Sequence, residues 1–423
     1  MNKYPKYKPS GIEWIGEIPE HWRVKMLKYV ADINPSKKNY SFEKESEDEI
    51  VFLPMEKVFE NGMINQEKKK KINEVSTGFT YFEIGDVIVA KITPCFENGK
   101  GALLENLETN FGFGSTEFHT MRASNLITKS LLFYQTKTDR FKNLGKAFMT
   151  GSAGQKRVPS SFVEDFIIVL PPTGEQTAIA NFLDEKTAQI DKLITSKQKL
   201  IQLLKEERAA IINQAVTRGI NPNAKLKFSG IDWLGDIPEH WEIKRLKYLC
   251  KIGTGSKNTE DRVIDGEYPF FVRSQEIERI NSYTFDGEAV LTAGDGVGVA
   301  KVFHHYIGKF DYHQRVYCIS EFCEVNGKYI YYYLMINLIK EILRYNAKST
   351  VDSLRLPMFQ NFAIAYSSNV NEQKQIVKHI ESETKRIDST ISKIEREIEL
   401  LQEYCTALIS EVVTGKIDVR NTV

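Results

Sequence analysis

The chain has 423 residues, of which 42% are hydrophobic and 27% are charged, and its formal net charge is +1. This length is typical of two or three domains, and the composition is typical of a soluble globular protein. The near-neutral charge excludes a uniformly basic nucleic-acid-binding protein, so a DNA-binding surface would require local segregation of Lys and Arg.

Cysteine usage and hydropathy narrow the class further. The five cysteines are scattered without a CxxC pair, which favours neither a zinc site nor a disulfide framework. The sequence has no signal-peptide pattern and no apolar run approaching about 18 residues. We therefore expect a cytoplasmic protein.

The segment SGIEWIGEIPEHWRVKMLKYV at residues 10–30 has a second copy in the chain. Residues 229–249 read SGIDWLGDIPEHWEIKRLKYL, and 14 of the 21 positions are identical. A repeat of this length predicts two related halves. We interpret its tryptophans as structural anchors of a shared frame, with stacking on DNA as the alternative: Trp14, Trp22, Trp233 and Trp241.

The first divergent stretch, residues 20–170, has the pattern of a mixed α/β domain. Strand-like runs begin at Glu49, Gly85 and Ser115, and one helix is expected over residues 126–148. The run KKKK from Lys68 is expected to be a solvated loop, with a phosphate contact as the alternative. Basic residues cluster between positions 137 and 157, where a solvated basic face is the alternative to DNA binding. We predict DNA contacts from Lys91, Lys146, Ser152, Gln155, Lys156 and Arg157.

A long helix is predicted for residues 172–218. Its start contains Glu175-Gln176, and the same pair recurs as Glu372-Gln373. Six of its eight heptad positions are apolar, and Lys197 and Arg208 interrupt the seam. The eight positions are Ile190, Ile194, Lys197, Ile201, Leu204, Arg208, Ile211 and Ala215.

The second divergent stretch, residues 239–367, repeats the order of elements seen in the first. Strand-like runs begin at Tyr268 and Phe310, and one helix is expected over residues 327–346 before a polar loop. The corresponding order predicts two versions of one domain. We predict DNA contacts from Arg273, Lys348, Ser349 and Arg355.

A second long helix is predicted for residues 369–415, with an uninterrupted heptad seam from Ile387 to Val412 that is about 39 Å long. We expect the two long helices to pair, antiparallel, as a bar comparable to one turn of B-DNA, with isolated surface helices as the alternative. The remaining apolar positions predict an interface with another subunit: Leu193, Leu200, Leu203, Leu400 and Ile409.

The repeat also predicts a closed arrangement. The sequence after the second helix, VTGKIDVRNTV, stands where a further copy of the repeated segment would be due. If the halves are related by a pseudo-twofold axis, the C-terminal residues should approach the N-terminal segment, and circular permutation should be tolerated.

Motifs for catalysis are weak. Gly294, Gly296 and Gly298 form a GxGxG run, but a strand-like sequence follows it, so a glycine-rich turn is favoured over a nucleotide loop. His304, His305 and His313 are favoured as strand residues over metal ligands. We find no nucleophile, general base or cofactor cradle, which favours a reader over a catalyst.

Two α/β inserts framed by IPEHW…LKY and by EQ-containing heptad helices resemble the specificity subunit of type I restriction-modification systems. The resemblance implies two target recognition domains, each reading one half of a bipartite asymmetric DNA site. It implies helices that set the spacing and dock two modification subunits, which methylate adenine N6, and two restriction (motor-nuclease) subunits complete the complex. It implies no cofactor in this chain, with S-adenosylmethionine, ATP and Mg on the partners.

The expected fold is therefore α+β or α/β, with two pseudo-twofold-related recognition domains separated by a pair of long antiparallel coiled-coil helices. The expected limits are residues 1–171, 172–218, 219–368, 369–415 and a tail at 416–423, with docking segments at 10–30 and 229–249. A stand-alone S-adenosylmethionine-dependent DNA methyltransferase and a coiled-coil scaffold that does not bind DNA are the alternative functions.

Overall fold

The computed structural model of the chain describes residues 2–37, 46–152, 154–345 and 353–420. Its contacts form two compact units, one of Met1–Lys197 with Arg396–Val423 and one of Gln198–Glu395. Each unit combines one α/β region, here called a head, with part of each long helix. The division thus falls within the long helices, whereas the sequence-based domain limits were placed at their ends.

The first unit contains short strands, short helices and the beginning of a long helix. Its strands are β1 (Tyr7–Pro9), β2 (Glu17–Pro19), β3 (Arg23–Met26), β4 (Ala31–Ile33), β5 (Glu49–Leu53), β6 (Lys69–Lys71), β7 (Thr80–Glu83), β8 (Val87–Ala90), β9 (Gly101–Leu103), β10 (Phe111–Gly114), β11 (Phe118–Ala123) and β12 (Ile167–Leu170). Its helices are α1 (Ile72–Val75), α2 (Lys129–Lys137), α3 (Asp139–Ala147), α4 (Ser160–Asp165) and the long α5 (Thr173–Arg218).

The first head is built on two four-stranded sheets, in the orders β6-β5-β10-β7 and β4-β11-β8-β9. All four residues of β8 and of β10 are buried, which suits strands at the interior of their sheets. The sequence FGFG in β10 has a steric reason, because a Cβ on Gly112 would lie 2.6 Å from the Val51 carbonyl oxygen. Only glycine therefore allows the neighbouring strand to approach this closely.

The second unit repeats this plan with longer strands. Its strands are β13 (Leu226–Phe228), β14 (Asp236–Pro238), β15 (Trp241–Arg245), β16 (Lys251–Thr254), β17 (Tyr268–Phe271), β18 (Glu278–Ile280), β19 (Phe285–Ala293), β20 (Phe303–Tyr312), β21 (Val316–Ser320) and β22 (Ala363–Ser367). Its helices are α6 (Gly327–Tyr345), α7 (Leu356–Gln360) and the long α8 (Val370–Val413), whose last residues belong to the first unit.

The two heads share one strand topology. In the second head the sheet order is β16-β21-β19-β20-β17-β18. In the second head, the single strand β20 pairs antiparallel with β19 and parallel with β17. In the first head these two pairings are divided between two strands, because β9 pairs antiparallel with β8 and β10 pairs parallel with β5. In the second head, β19 therefore takes the place of β7 and β8, and β20 takes the place of β9 and β10.

Most predicted elements are confirmed, and two local predictions are wrong. The helix expected over residues 126–148 is divided into α2 and α3 at Thr138, whose extended backbone ends α2 and whose hydroxyl accepts the Phe141 amide at 3.2 Å. Three of the four lysines expected to form a loop lie in the edge strand β6, in which Lys70 lies over the rings of Phe52 and Phe79. Cation–π contacts explain why a lysine run is stable on this edge.

The repeated segment anchors the start of each long helix. In the first unit, Glu175 in the first turn of α5 accepts hydrogen bonds from His21 at 2.6 Å and from the Trp22 indole at 2.9 Å. In the second unit, Glu372 of α8 is bonded in the same way to His240 and Trp241. Both of these tryptophans are fully buried, so their interpretation as structural anchors is confirmed.

The glutamine of each Glu-Gln pair fixes two further segments. Gln176 is buried, accepts the Thr128 amide ahead of α2, and donates to the carbonyls of Leu126 and Pro171. Gln373 makes the matching bonds in the second unit, where it accepts the Asn326 amide and donates to two carbonyls. The repetition of Glu-Gln in the sequence therefore reflects a repeated junction between helix and head.

The long helices contact each other in antiparallel fashion. In the first unit, Asp191 of α5 lies near Cys405 of α8, and Lys197 bonds Glu397, so positions rise along one helix as they fall along the other. In the second unit, Arg208 donates to Asp388 at 3.0 Å. The two basic residues that interrupt the first seam are thus paired with carboxylates of the facing helix, which satisfies their charge.

The C-terminal residues contact the N-terminal segment, as the repeat predicts. Asn2 forms a backbone bridge with Asp418, the Tyr7 hydroxyl donates to the Gly415 carbonyl at 3.1 Å, and Lys416 donates to the Ile15 and Glu17 carbonyls. In the second unit the chain runs without interruption from Gly219 to β13. Gly219 and Gly415 have nearly equal φ angles, +72° and +76°, so both helices end in the same left-handed turn.

Candidate nucleic-acid interface

An open cleft of about 660 Å³ lies on the first head, and it contains two of the predicted DNA-contacting residues. It is formed by the end of β4, by β7, by the residues after β8, by the start of β11 and by the segment ahead of α4. Its polar lining includes Asn34, Lys37, Lys91, His119, Arg157 and Ser160. Lys and Arg beside neutral hydrogen-bonding groups suit both phosphate attraction and contact with base edges.

His119 forms the buried floor of this cleft. Its Nε2 bonds the Val158 carbonyl at 2.8 Å, and its Nδ1 is 3.2 Å from the side-chain amide of Asn34. Burial is the main cause that lowers the pKa of His119, and the charge of Lys91 adds to it. A neutral ring that donates from Nε2 and accepts at Nδ1 fits these bonds, so His119 holds the loop ahead of α4 in position.

The same loop is fixed to the sheet by backbone bonds and by an ion pair. The Lys91 amide donates to the Glu117 carbonyl, and the Val158 amide donates to the Lys91 carbonyl, both at 2.8 Å. Arg157 forms a two-pronged pair with Glu117, with N–O distances between 2.8 and 3.1 Å. The hydrogen bonds from Arg157 lower the pKa of Glu117, although burial opposes them. We call this region, where the loop meets the ends of the strands, the loop edge.

The second head has a loop edge with the same backbone bonds. The Gly294 amide donates to the Arg315 carbonyl, and the Leu354 amide donates to the Gly294 carbonyl, again at 2.8 Å. The Tyr317 hydroxyl bonds the Leu354 carbonyl at 2.9 Å, which is the bond that His119 makes to Val158. Equivalent positions of the two heads can therefore be assigned from backbone geometry.

These equivalent positions differ in chemistry. Glu117 corresponds to Arg315, His119 to Tyr317 and Lys91 to Gly294, while the bridge between Ile92 and Arg157 corresponds to that between Asp295 and Ser353. In the second head Asp295 accepts hydrogen bonds from Arg273, at 2.8 Å, and from Arg315. Burial opposes ionisation of Asp295, but the bonds from Arg315 and Arg273 outweigh it and lower its pKa.

The structure brings some predicted DNA-contacting residues together and separates others. Lys91 and Arg157 line one cleft, and the exposed Ser152, Gln155 and Lys156 precede Arg157 in the same loop. Lys146 is exposed on α3 with Glu97 at 3.4 Å. In the second head, Arg273 bonds Asp295 and Arg355 is exposed ahead of α7. Lys348 and Ser349 lie outside the described residues.

The basic cluster between positions 137 and 157 is not one solvated face. Lys137 points inward and donates to the carbonyls of Glu60, Gly99 and Gly101 at 2.8 to 3.0 Å. Arg140 lies 4.8 Å from the ring of Trp14. Both residues therefore stabilise the first head, and the basic residues that face solvent are those nearer the loop edge.

Sequence reasoning missed several polar residues of the loop edges. These are Asn34, Lys37, Glu117 and His119 in the first head, and Asn258, Asp295, Gln314 and Arg315 in the second. Asn258 and Gln314 are joined by a side-chain hydrogen bond. Glu117 and Arg315 lie within strand-like runs that were predicted to begin at Ser115 and Phe310, whereas the strands of the structure begin directly after them, at Phe118 and Val316. No signal in the sequence therefore indicated that these two residues precede a strand.

The predicted subunit interface is exposed at four of its five residues. Leu193, Leu200, Leu203 and Leu400 have between 44% and 50% of their surface accessible. Ile409 is a correction, because it is buried in the hydrophobic core of the first unit with Leu408 and Val412. The end of α8 packs into the head there, so Ile409 is not available to another subunit.

Two other kinds of site are not found among the described residues. Among these residues no group of His, Cys, Asp and Glu could hold a metal ion, and no helix is long and apolar enough to cross a membrane. Burial raises the pKa of the Cys250 and Cys318 thiols to about 12, which leaves both as unreactive thiols at neutral pH.

The family is established by comparison with known proteins. The family model described as type I restriction modification DNA specificity domain matches residues 19–206 and 238–400 of this chain. The chain belongs to this family, and the resemblance seen in the sequence is confirmed.

Several similar proteins are named as specificity subunits of type I restriction enzymes. The EcoEI and EcoAI type I restriction enzyme specificity subunits of Escherichia coli are 36% and 37% identical over 218 and 217 residues. These matches cover 48% of this chain but only 36% of each relative. The putative type I restriction enzyme MjaX specificity subunit of Methanocaldococcus jannaschii is 24% identical, and the match covers 96% of both chains.

Solved structures share the fold. A chain from work described as the structural basis of complex assembly and conformational transition of the type I R-M system matches with a TM-score of 0.74 at 18% identity, over 95% of this chain and 99% of that one. The HsdS subunit from Thermoanaerobacter tengcongensis matches with a TM-score of 0.54 at 17% identity, over 95% and 98%. The predicted mixed α/β fold with two long helices is thereby confirmed.

Proposed function

We propose that this chain is the DNA sequence-specificity subunit of a type I restriction-modification complex, in which each head reads one half of an asymmetric bipartite site. The observation that carries the proposal is the pair of loop edges. They share one set of backbone bonds yet present different side chains, such as Glu117 and Arg315. Two readers on one frame suit recognition of two different half-sites.

We further propose that the long helices set the gap between the half-sites. Lys197 with Glu397 in the first unit, and Arg208 with Asp388 in the second, fix the register of α5 against α8. A fixed helix register gives a fixed length, and a ruler of this kind requires a fixed length. For the DNA between the half-sites, only the number of base pairs would then affect recognition, and their sequence would not.

Docking of two identical modification subunits, which methylate adenine N6, is supported by surface residues that the two units share. Tyr29 and Tyr248 end the two copies of the repeated LKY triplet. Their surfaces are 63% and 65% exposed, so neither side chain is buried within its own head. The exposed leucines of α5 and α8 add further apolar area. We propose that these surfaces bind the modification subunits, and that two restriction subunits join that assembly.

The proposal assigns no catalysis to this chain. S-adenosylmethionine, ATP and Mg would be held by the partner subunits, and this chain would determine which DNA sequence is recognised. A stand-alone methyltransferase would instead bind S-adenosylmethionine, which titration calorimetry of the isolated chain measures, and we expect no binding. A scaffold that does not bind DNA would show no salt-dependent DNA affinity, whereas we expect weak, salt-dependent binding by the chain alone.

The decisive experiment exchanges residues 20–170 for the corresponding segment of another family member. The chimaera is expressed with the modification subunit, and the methylated sequence is mapped across a genome. We expect one half of the methylated site to change while the other half and the spacing stay the same. A change in both halves would contradict the modular assignment, and the exchange of residues 239–367 is the matched control for the other half.

Partner docking is tested by separate variants. Leu203→Asp with Leu400→Asp should reduce co-purification of the modification subunit, as should Tyr29→Ala with Tyr248→Ala. Lys199→Gln with Lys393→Gln, on exposed helix positions, is the control and should leave co-purification unchanged. Normal co-purification of both pairs of variants would remove these surfaces from the interface.

A further inference from the structure

Each loop edge holds exposed arginine against one carboxylate, with one arginine in the first head and two in the second. In the first head Arg157 comes from the loop and Glu117 from the start of a strand. In the second head the roles are reversed at the equivalent strand position, where Arg315 stands and where Asp295 and Arg273 complete the cluster. Both heads thus have an arginine–carboxylate cluster at the loop edge, but the arginines and carboxylates come from different positions in the two heads.

Holding the loop in place does not require these arginines. The loop is already joined to the sheet by the backbone bonds of Lys91 and Val158, and by the bond from His119 to the Val158 carbonyl. Gly294, Leu354 and Tyr317 make the same bonds in the second head. The side chains of Arg157, Arg273 and Arg315 also keep 44%, 41% and 60% of their surface exposed. Exposed ion pairs of this kind contribute little to stability.

Among the residues that the structure describes, the hydrogen bonds of Arg157 leave part of its guanidinium group without a partner. A guanidinium has five N–H donors. The Nε and one Nη2 hydrogen face Glu117, and one Nη1 hydrogen faces the Gln155 carbonyl at 3.2 Å. One hydrogen therefore remains on each of the neighbouring nitrogens Nη1 and Nη2 after these bonds are counted. Two N–H donors on neighbouring nitrogens are the fork that an arginine uses to bind the O6 and N7 atoms of guanine in the major groove.

In the second head one acceptor serves two arginines. Asp295 receives a single Nη1 hydrogen from each of Arg273 and Arg315. Its side chain is mostly buried, at 19% exposed, so the carboxylate is a buried support between two more exposed donors. Each arginine retains further donors that face away from Asp295.

We propose that Arg157 in the first head, and Arg273 with Arg315 in the second, are the base-reading residues, and that each group reads a guanine. Glu117 and Asp295 are positioning residues, which orient the arginines before DNA binds and so reduce the entropy lost on binding. This inference rests on the proposed function and specifies it, because it names the base that each half-site must contain.

The test uses the complex of this chain with its modification subunit. The methylated site is first mapped in a genome, and duplexes carrying that site are then prepared with each guanine replaced in turn by 7-deazaguanine, which lacks the N7 acceptor. We expect one guanine in the first half-site whose replacement weakens binding of the wild-type complex but not of the Arg157→Lys complex. Arg157→Lys keeps the charge and removes the fork.

Discrimination gives a second readout. Arg157→Lys should lower the preference for guanine over adenine at that one position by roughly 10- to 100-fold. Glu117→Gln should lower it less, because the fork is retained but no longer held. Lys156→Gln is the matched control in the same loop and should weaken binding to all sequences alike. Arg273→Lys and Arg315→Lys should act only on the second half-site.

The outcomes separate the two levels of the argument. A methylated site without guanine in one half, or discrimination that Arg157→Lys leaves unchanged, would overturn the base-reading assignment and leave the proposed function intact. Uniform weakening by Arg157→Lys would make the arginine a phosphate contact only. If methylation did not depend on this chain at all, the proposed function itself would fail.

Discussion

The indole Nε1 of Trp22 donates a hydrogen bond to Glu175 Oε2 at 2.9 Å and thereby joins the repeated segment to the first turn of α5. The equivalent bond, from Trp241 to Glu372, is 3.1 Å long. Because both indoles are fully buried, each bond links a head to a long helix from within the core. This junction explains why the segment and the Glu-Gln pair are repeated together.

Trp22→Phe should destabilise the first unit by about 1–3 kcal/mol, because a partly buried carboxylate loses a donor and the core loses volume. Hydrogen exchange followed by mass spectrometry measures the effect for each unit separately. We expect faster exchange in the first head and unchanged exchange in the second, with the reverse pattern for Trp241→Phe. Equal loosening of both heads by Trp22→Phe would mean that the bond is not local to its unit.

The junction of the second unit should depend on pH. Burial opposes ionisation of Glu372, but hydrogen bonds from Ser367, His240 and Trp241 outweigh it and lower its pKa below the ordinary value of 4.5. The folded state therefore gains stability from this carboxylate above about pH 4.5, and that contribution is lost as pH falls through the lowered folded value.

Glu372→Gln should remove this dependence. The difference in urea midpoint between wild type and Glu372→Gln should be largest near pH 6 and should shrink towards pH 3. Glu395→Gln, an exposed carboxylate of the same unit, is the control and should show a small difference at every pH. A constant difference for Glu372→Gln across this range would contradict a lowered pKa.

Lys137 gives a second pH dependence, at neutral to alkaline pH. Burial lowers the pKa of Lys137 to about 7. Between pH 7 and its unfolded value near 10.5, the unfolded chain binds a proton that the folded chain does not, so stability rises with pH. The amides of Thr128 and Asn326 make equivalent bonds to Gln176 and Gln373, and counting along the helix from these two residues pairs Lys137 with Met335. Met335 packs against the core of the second unit, so methionine suits this position.

The comparison of wild type with Lys137→Met isolates this effect. We expect the stability of the wild type relative to the variant to increase by about 2 kcal/mol from pH 7 to pH 9. Lys129→Met on the same helix, whose lysine is 46% exposed, should show no such slope. A flat difference for Lys137→Met would show that the three carbonyl acceptors keep this lysine protonated.

Local patterns in the sequence were sufficient to predict the two long helices and the presence of two heads. Heptad spacing predicted the extent of α5 and α8, and repetition predicted two heads, because both signals are carried by neighbouring residues. Lys137 could not be placed in this way, since its acceptors come from residues 60, 99 and 101. Ile409 fits a helical stripe, yet the head that covers it is distant in sequence.

The loop edges required knowledge of strand register. Arg157 was predicted as a DNA-contacting residue, but its pairing with Glu117 follows only from the alignment of β8 with β11. The same holds for Arg273 and Asp295, which lie in different strands' connecting loops. Charge in the sequence therefore indicated a region, and the geometry selected the residues within it.

A circular permutant tests the closed arrangement of the first unit. The Asp418 amide donates to the Asn2 carbonyl at 2.9 Å, so residues 2 and 418 are neighbours, whereas the second unit has continuous chain at the equivalent place. Joining residue 423 to residue 1 and opening the chain at the exposed Pro222–Asn223 bond moves the break from one unit to the other.

We expect this permutant to fold with the same helix content and to direct methylation to the same site, because each unit keeps the contacts that it has now. Circular dichroism and genomic methylation mapping measure the two properties. A permutant opened between Leu291 and Thr292, which are buried in the middle strand of the second head, should fail to fold. Failure of the first permutant alongside the second would mean that the continuous connection after Gly219 supports the second unit in a way that contacts alone do not.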